Sequence, residues 1–182
     1  PLTGALNRRA FHAAFDNALR EAVRAGSSLT CLMVDIDHFK NINDSHGHLF
    51  GSRALVESAS VIRASARETD IVARFGGEEF ALVLYGPAQD FGREIPEMLR
   101  RSVEELRIPH AESGTSPWLT VSVGVAIVSP GNERSLAGAI QLADEALYQA
   151  KEEGRNRIVV KESKSAHIQT GRFRAARMQA SG

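Results

Sequence analysis

Apolar residues recur every three or four positions in four segments of the chain, and this spacing predicts four amphipathic helices. The predicted buried faces are, in order, Phe11, Phe15, Ala18, Leu19, Ala22 and Val23; Leu55, Ala59, Ile62 and Ala66; Phe91, Ile95, Met98, Leu99, Val103 and Leu106; and Leu136, Ile140, Ala143 and Leu147. Asn7 can cap the start of the first helix and Gly26 can end it. Ser135 and Gly154 mark the last helix in the same way, and Pro96 begins or kinks the third helix.

Apolar runs of strand length lie between the predicted helices. Leu29 to Val34 is apolar throughout, which is typical of a central strand buried on both faces. Leu119 to Val128 alternates apolar and polar residues, and Gly124 within it predicts a bulge. Ile158 to Val160 predicts a short closing strand. Helices and strands of these lengths predict an α/β domain.

Two carboxylates, Asp35 and Asp37, follow the first predicted strand directly. The carboxyl ends of strands in α/β sheets commonly hold ligands, and we expect only one of the two acids to face such a site. The next segment, 38–51, is polar and rich in turn residues. It predicts a short helix and a loop, with Phe39, Ile42 and Leu49 as inward anchors.

Residues 74–80, with the sequence RFGGEEF, lie between two apolar runs and predict a β-hairpin. Gly76 and Gly77 suit the positive φ angles of such a turn, and they leave the backbone open to a ligand. Glu78 and Glu79 follow at the hairpin tip. On the hairpin alone, a tight turn with solvated acids is the favoured interpretation, because short motifs arise by accident.

Composition restricts the class of protein. The 182 residues are 43% hydrophobic and 24% charged, which fits one compact domain. Lys plus Arg and Asp plus Glu number 22 each, so the formal net charge is zero and no overall field indicates nucleic acid or a membrane surface. Any anion site must therefore be local. The single cysteine, Cys31, predicts a buried structural thiol and a reducing, cytoplasmic location.

The ends of the chain shape the expected domain organisation. No stretch is apolar enough to span a bilayer and no signal peptide is visible, although segments outside this sequence could anchor a longer protein. The first residue is Pro1, and we expect an excised domain. Residues 1–160 are predicted to form the domain. Residues 161–182 are basic and predict a flexible tail, either a solvated extension or a contact for nucleotides or membranes.

Six motifs together resemble the GGDEF family of nucleotidyl cyclases, the diguanylate cyclases, over residues 1–160. They are residues 2–9 (LTGALNRR), 35–44 (DIDHFKNIND), 47–48 (GH), 76–80 (GGEEF), 120–126 (TVSVGVA) and 143–156 (ADEALYQAKEEGRN), in the order and spacing of the family. The resemblance implies an α+β fold, an α/β sandwich with a palm-like mixed central sheet flanked by helices, as in class III nucleotide cyclases. It also implies an enzyme that joins two nucleoside triphosphates into a cyclic dinucleotide, with one triphosphate bound to each subunit.

The resemblance implies a metal and phosphate site. Asp35, Glu78 and the carbonyl of Ile36 are the implied ligands of Mg²⁺ or Mn²⁺, which prefers carboxylates, phosphates and water. Two roles are open for Glu79: it assists removal of a proton, or it only holds the turn. The implied phosphate-binding groups are the Phe39 backbone, Lys40, Lys151 and Arg155. Alone, Lys151 and Arg155 are more typical of a helix C-terminus, and the family resemblance reverses that preference.

The implied base-binding residues depart from the family pattern at one position. Asn43 matches the asparagine that contacts guanine, but Ser52 stands where the family usually has aspartate after Gly51. Serine donates or accepts, so the preference for guanine weakens by about 1 to 3 kcal/mol and adenine is no longer repelled. Ser52 resembles a hybrid promiscuous subclass that makes cyclic GMP-AMP, and ATP then joins GTP as a substrate. The alternative is an ordinary diguanylate cyclase in which another group restores selectivity.

The resemblance also implies regulation and assembly. Arg67 and Asp70 match the arginine and aspartate of a product inhibition site, although an exposed ion pair is the simple alternative. A second arginine of that site is Arg93, Arg100 or Arg101. Because each site holds one triphosphate, catalysis requires a homodimer. An upstream sensory or receiver domain is expected to bring two copies together, and no nucleic acid is expected as a partner.

Three other interpretations compete. His46, Gly47 and His48 near Asp37 invite a zinc site, but clear ligand spacing is missing and His48 is better explained as a loop hydrogen bond. A catalytically inactive module could sense a cyclic dinucleotide through Arg67 and Asp70. Loss of the catalytic carboxylates or glycines would favour this interpretation, but all of them are present. An unrelated nucleotide-binding domain is disfavoured by the ordered motifs.

Overall fold

The computed structural model of the chain describes residues 5–86, 92–129 and 136–163. Its elements are α1 (Arg8–Ala25), β1 (Leu29–Ile36), α2 (Phe39–His46), α3 (His48–Ser65), β2 (Ile71–Arg74), β3 (Glu79–Tyr85), α4 (Glu94–Glu104), β4 (Val121–Val128), α5 (Leu136–Glu152) and β5 (Ile158–Glu162). A short 3₁₀ turn, Ala111–Ser113, lies between α4 and β4. Of the predicted tail, 161–182, the first two residues end β5. Residues 164–182, the predicted cap Ser135 and the predicted helix residue Phe91 lie outside the described residues.

The five strands form one mixed sheet in the order β2-β3-β1-β4-β5. β1 lies at its centre and pairs antiparallel with both β3 and β4. β2 pairs antiparallel with β3, and β5 pairs parallel with β4. The mixed central sheet flanked by helices confirms the predicted α+β, palm-like fold.

Alternate residues of each strand point to opposite faces of the sheet. Most buried residues on both faces are apolar, and helices cover both. On one face, Leu32 and Val34 of β1 pack with Ile62 of α3 and Leu99 of α4. On the other face, α1 and α5 cover residues of β1, β3 and β4. All eight residues of β1 are buried, as predicted for a central strand. Cys31 is among them, and burial raises the pKa of its thiol to about 12.

Local signals placed the ends of α1 correctly. The side chain of Asn7 accepts a hydrogen bond from the Ala10 amide at 2.8 Å, and Gly26 ends the helix in a left-handed conformation with φ of 63°. Pro96 lies in the first turn of α4, where it has no helical hydrogen bond to break. Within residues 5–86, 92–129 and 136–163, no helix is long and apolar enough to cross a membrane.

The predicted loop after α2 is wrong. Only Gly47 separates α2 from α3, and its φ of 84° lets the chain change direction within one residue. α3 therefore begins at His48, and Leu49 in its first turn is 76% exposed instead of anchoring the core. Val23 and Met98 are also about half exposed, because each lies at the margin of its helical stripe.

The predicted bulge at Gly124 is also wrong. β4 keeps a regular register there, with Gly124 opposite Met33 of β1 and Val159 of β5. A Cβ atom on Gly124 would lie 2.1 Å from the carbonyl oxygen of Ala143 and 2.4 Å from the amide nitrogen of Leu147. The glycine lets the backbone of α5 approach the sheet closely.

Candidate active site

A groove of about 360 Å³ lies between α2, α3 and the β2–β3 hairpin. Its lining includes six of the residues predicted to contact substrate or metal: Phe39, Lys40, Asn43, Ser52, Gly77 and Glu78. The fold brings them together because α2 follows β1 directly, α3 turns back beside α2, and the hairpin ends next to β1. One groove therefore offers a cation, an amide, a hydroxyl, a bare backbone and a carboxylate.

The Asn43 side chain lies against the backbone of α3. A Cβ atom on Gly51 would stand 1.8 Å from its Oδ1 atom, so only glycine at this position leaves the amide where it is. Ser52, the next residue, also faces the groove. The two residues predicted to contact the base are thus held side by side. The glycine before Ser52 was part of the pattern, but its steric role was not predicted.

A second cluster of charges lies at the end of β1. Asp35 stands opposite Glu79 on β3, and Lys151 at the end of α5 donates a hydrogen bond to the Asp35 carboxylate. Burial raises the pKa of Asp35, while the hydrogen bond and charge of Lys151 act in the opposite direction. The charge of Arg155 also reaches Asp35. The fold therefore brings the two predicted cations, Lys151 in the last turn of α5 and Arg155 just after the helix, towards the predicted metal-binding carboxylate.

Glu79 is crowded by other carboxylates. Burial raises its pKa, and the negative charges of Asp35 and Asp144 raise it further. Burial also raises the pKa of Asp144, on α5. The positive charge of Lys151 acts in the opposite direction at Glu79, and those of Arg8 and Lys151 do so at Asp144. Glu79 thus holds a proton more readily than an ordinary glutamate.

The hairpin differs from its prediction in one respect. Neither Gly76 nor Gly77 has a positive φ angle, so the turn does not require glycine for its backbone conformation. A Cβ atom on Gly77 would meet nothing within 4 Å, which leaves a bare backbone facing the groove. Glu79 begins β3, and its carbonyl accepts from the Phe75 amide at 2.8 Å. The Arg74 side chain donates to the carbonyls of both glycines and fixes the loop.

The two acids after β1 have different surroundings. Asp37 is 2% exposed, and it accepts hydrogen bonds from the hydroxyls of Thr120 and Ser122 and from the Asn156 amide. Its carboxylate is fully used in holding β4 and the end of α5 together. Asp35 does not line the groove, and it is instead paired with Lys151. The segment held by Asp37 begins next to Arg155, at Asn156.

The donor atoms at the site fit a magnesium ion. Asp35 and Glu78 are carboxylates, Ile36 offers a carbonyl oxygen, and the Ile36 amide donates to the Glu78 carbonyl at 3.3 Å, so these backbones lie side by side. Among residues 5–86, 92–129 and 136–163, no three His, Cys, Asp or Glu side chains gather as a metal site. Mg²⁺ needs only one or two carboxylates when phosphates and water complete its shell.

The histidines considered for zinc have other surroundings. The His46 ring packs on Phe50, with centroids 4.5 Å apart. His48 lines the groove in the first turn of α3. Arg74 and Leu55 line the same groove and were not predicted. Arg74 lies two residues before the Gly-Gly pair, and that spacing is the signal that could have identified it.

The predicted inhibition pair lies at the opposite end of β3. Arg67 donates two side-chain hydrogen bonds to Asp70, at 2.8 and 3.0 Å, and a third to the Tyr85 carbonyl. The Asp70 side chain is fully buried, whereas that of Arg67 is 38% exposed. Both line a cavity of about 400 Å³ that also includes Arg63. The pair is therefore an ordered ion pair beside an open cavity.

The three candidate second arginines lie in or just before α4. Arg100 is largely buried, and it donates to Glu97, Glu104 and the Asn156 side chain. That arrangement commits Arg100 to bracing the segment after α5. Arg93 and Arg101 are exposed and line a separate groove between α4 and β5.

Comparison with known proteins identifies the family of the chain. The family model described as "Diguanylate cyclase, GGDEF domain" matches residues 1–157. The chain belongs to this family. Among curated relatives, diguanylate cyclase VdcA of Vibrio cholerae is 39% identical over 159 residues, which cover 87% of this chain and 45% of VdcA. The GGDEF chain thus spans less than half of the length of that relative.

Solved structures of GGDEF proteins share the fold. The GGDEF domain of DgcB from Caulobacter crescentus, in complex with c-di-GMP, is 36% identical, with a TM-score of 0.78 over 91% of this chain and 92% of that one. Diguanylate cyclase SiaD of Pseudomonas aeruginosa, in complex with its activator SiaC, is 37% identical, with a TM-score of 0.75 over 88% of this chain and 60% of SiaD.

Proposed function

We propose that this GGDEF chain is a catalytic domain that condenses two purine nucleoside triphosphates into a 3′,5′-cyclic dinucleotide, with c-di-GMP as the principal product. The observation that carries the proposal is the groove in which Lys40, Asn43, Ser52 and Glu78 meet. The part of the groove with Asn43 and Ser52 suits a purine base. The carboxylates and cations beside it suit a triphosphate. Membership of the diguanylate cyclase family supports the same chemistry.

In this proposal the chain orients one nucleotide in each subunit. Asn43 and Ser52 hydrogen-bond the base, while Lys40, Lys151 and Arg155 bind phosphate oxygens. The bare backbone at Gly77 allows the nucleotide to lie against the hairpin. Orientation of this kind lowers the barrier because the reacting groups meet in the required geometry.

Asp35, Glu78 and the Ile36 carbonyl would hold Mg²⁺, which when bound neutralises phosphate charge and acidifies the attacking hydroxyl. In each half-reaction a 3′-hydroxyl oxygen bonds to the α-phosphorus of the other nucleotide. The bond to the bridging oxygen breaks, and pyrophosphate leaves with the electron pair. We assign the hydroxyl proton to Glu79, because its raised pKa makes it a better acceptor than an ordinary glutamate.

Base selection is proposed to be relaxed, with cyclic GMP-AMP formed alongside c-di-GMP. Ser52 lines the groove next to Asn43 and carries no charge to repel adenine. ATP is then a second substrate. The alternative is strict use of GTP, in which another group of the groove restores guanine selection.

Product identification tests both levels of the proposal. The purified chain is incubated at high concentration with Mg²⁺ and GTP, ATP or both, and products are identified by mass spectrometry. We expect c-di-GMP from GTP alone and cyclic GMP-AMP from the mixture, with Ser52→Asp reducing the mixed product about tenfold or more. Only c-di-GMP under excess ATP contradicts relaxed selection, and an unchanged ratio in Ser52→Asp removes the role of Ser52.

A non-catalytic binding module is the second candidate, and the open cavity beside Arg67 favours it as far as product binding goes. The DgcB domain in complex with c-di-GMP makes such a ligand reasonable for this family. We propose that Arg67 and Asp70 bind the product as a feedback site. A chain that synthesises a cyclic dinucleotide without binding one at this cavity is a catalytic domain and not a binding module. A dimerised chain that binds a cyclic dinucleotide without making one is a binding module.

A further inference from the structure

His110 is buried under the turn that connects β1 to α2. Its side chain is 1% exposed, and its Nε2 atom lies 3.1 Å from the backbone carbonyl oxygen of His38. The backbone of His110 is fixed in turn, because its amide donates to the Pro117 carbonyl at 2.9 Å and its carbonyl accepts from Ser113 at 3.1 Å. The ring therefore reaches the turn from a well-anchored loop.

The turn needs such support. His38 has a φ of 53°, in the left-handed region, and it precedes α2 without a side-chain hydrogen bond that caps the helix. Two weaker contacts join the same loop to the turn: the His38 ring lies 3.3 Å from the Thr115 hydroxyl, and the Asn41 side chain lies 3.4 Å from the Glu112 carbonyl. The loop from 110 to 115 thus clasps the start of α2.

From this contact we infer that His110 is a positioning residue for nucleotide binding, which acts by holding the His38 turn. The inference rests on the proposed function. The turn stands directly between Ile36, whose carbonyl is assigned to the metal, and Phe39 with Lys40, which are assigned to the phosphates. A turn that relaxed from its strained conformation would shift all three groups together.

The contact shows which ring nitrogen carries a hydrogen. Because a carbonyl oxygen only accepts, Nε2 carries the hydrogen and donates it to His38. Burial lowers the pKa of His110, although hydrogen bonds to backbone groups act in the opposite direction. A neutral imidazole with the proton on Nε2 fits a buried pocket, and glutamine can present an N–H group at a similar distance from the backbone.

The test compares His110→Leu with His110→Gln. We expect His110→Leu to weaken binding of a non-cyclisable GTP analogue with Mg²⁺ by about tenfold or more, the usual effect of losing a supporting contact. We expect the analogue affinity of His110→Gln to stay within about 1.5-fold of that of the original chain. Calorimetry measures the affinities, and hydrogen exchange measures protection of the 38–46 peptide, which should fall only in the leucine variant.

The control is Val128→Ala, which removes buried volume at the far end of β4. It should lower Tm without changing analogue affinity. Should His110→Leu not fold, Thr115→Val tests the same clasp and should weaken binding about threefold. Equal binding by the leucine variant, or equal losses in leucine and glutamine variants, overturns the inference. Absence of analogue binding by the original chain contradicts the proposed function instead.

Discussion

At the scale of single residues, the site concentrates negative charge that folding alone does not require. Glu79 faces Asp35 across the sheet and has Asp144 nearby, and its raised pKa records the cost of ionising it there. A carboxyl whose pKa rises on folding destabilises the folded chain progressively as pH rises above the unfolded pKa, and this loss is complete once pH exceeds the raised pKa. Below the unfolded value it contributes nothing. Stability is therefore given up at this position, as expected for the proton-accepting role proposed for Glu79.

Glu79→Gln should raise Tm at pH 8 by about 2 °C, a modest value because the half-buried group is partly screened by solvent. The advantage should shrink as pH falls towards the usual glutamate pKa, because the original residue then becomes neutral as well. Thermal unfolding at pH 8 and pH 4.5 measures the difference. Glu145→Gln, on the exposed side of α5, is the control. A lower Tm for Glu79→Gln at pH 8 would contradict the charge-crowding account.

Arg67→Ala should raise the inhibition constant for c-di-GMP about tenfold, because a forked, charge-assisted contact is lost. The choice of residue follows from the structure: the fully buried Asp70 accepts from the Tyr85 amide as well, so its removal would disturb the fold. Arg67→Lys keeps the charge and loses the forked geometry of the guanidinium. Its inhibition constant should lie between those of the original chain and Arg67→Ala. Inhibition measured at several product concentrations decides. An unchanged constant in both variants would exclude Arg67 from the feedback site.

Sequence patterns identified the acids of the site better than they assigned their tasks. Asp35 and Asp37 look equivalent in the chain, yet Asp37 is committed to Thr120, Ser122 and Asn156. These partners are 83 to 119 residues away, so no local pattern could reveal them. His110 escaped prediction for the same reason, since its partner His38 is 72 residues distant.

At the scale of elements, periodicity predicted the helices and strands, because each has one or two buried faces. It failed where a single backbone angle or a close approach decides the structure. Gly47 replaces a loop by one residue, and Gly124 marks contact with α5 instead of a bulge. Both are glycines with ordinary neighbours, so the sequence signal is the same for a turn, a bulge or a close approach.

Two glycine substitutions separate fold from site. Gly124→Ala should lower the free energy of unfolding by about 3 kcal/mol or more, because its Cβ would strike the α5 backbone. Gly77→Ala should change it by about 0.5 kcal/mol or less, because nothing lies within 4 Å of its Cβ. Urea denaturation measures both. Gly77→Ala should nevertheless bind the GTP analogue more weakly, and normal binding would remove the close approach proposed for the hairpin.

At the scale of the whole molecule, β3 connects the two proposed ligand sites. Glu79 begins the strand at the groove, and Tyr85 ends it where Arg67 and Asp70 are tied down. Six residue steps of an extended strand correspond to about 20 Å. A product molecule at the distant cavity therefore does not reach the nucleotide groove. Feedback through this pair must act by holding two subunits apart or by moving the strand.

The proposed reaction needs two copies of the chain, since each groove accommodates the base of one nucleotide. Turnover per chain should therefore rise with chain concentration below the dissociation constant of the dimer and level off above it. Initial rates over about a hundredfold dilution measure this dependence. A fused dimeric coiled coil should remove it, because tethering gives an effective concentration of about millimolar.

A turnover per chain that stays constant on dilution, without the fusion, would mean that one subunit suffices or that the chain is a tight dimer. Sedimentation at the lowest concentration used separates these outcomes, and a fully active monomer would contradict the facing-site mechanism.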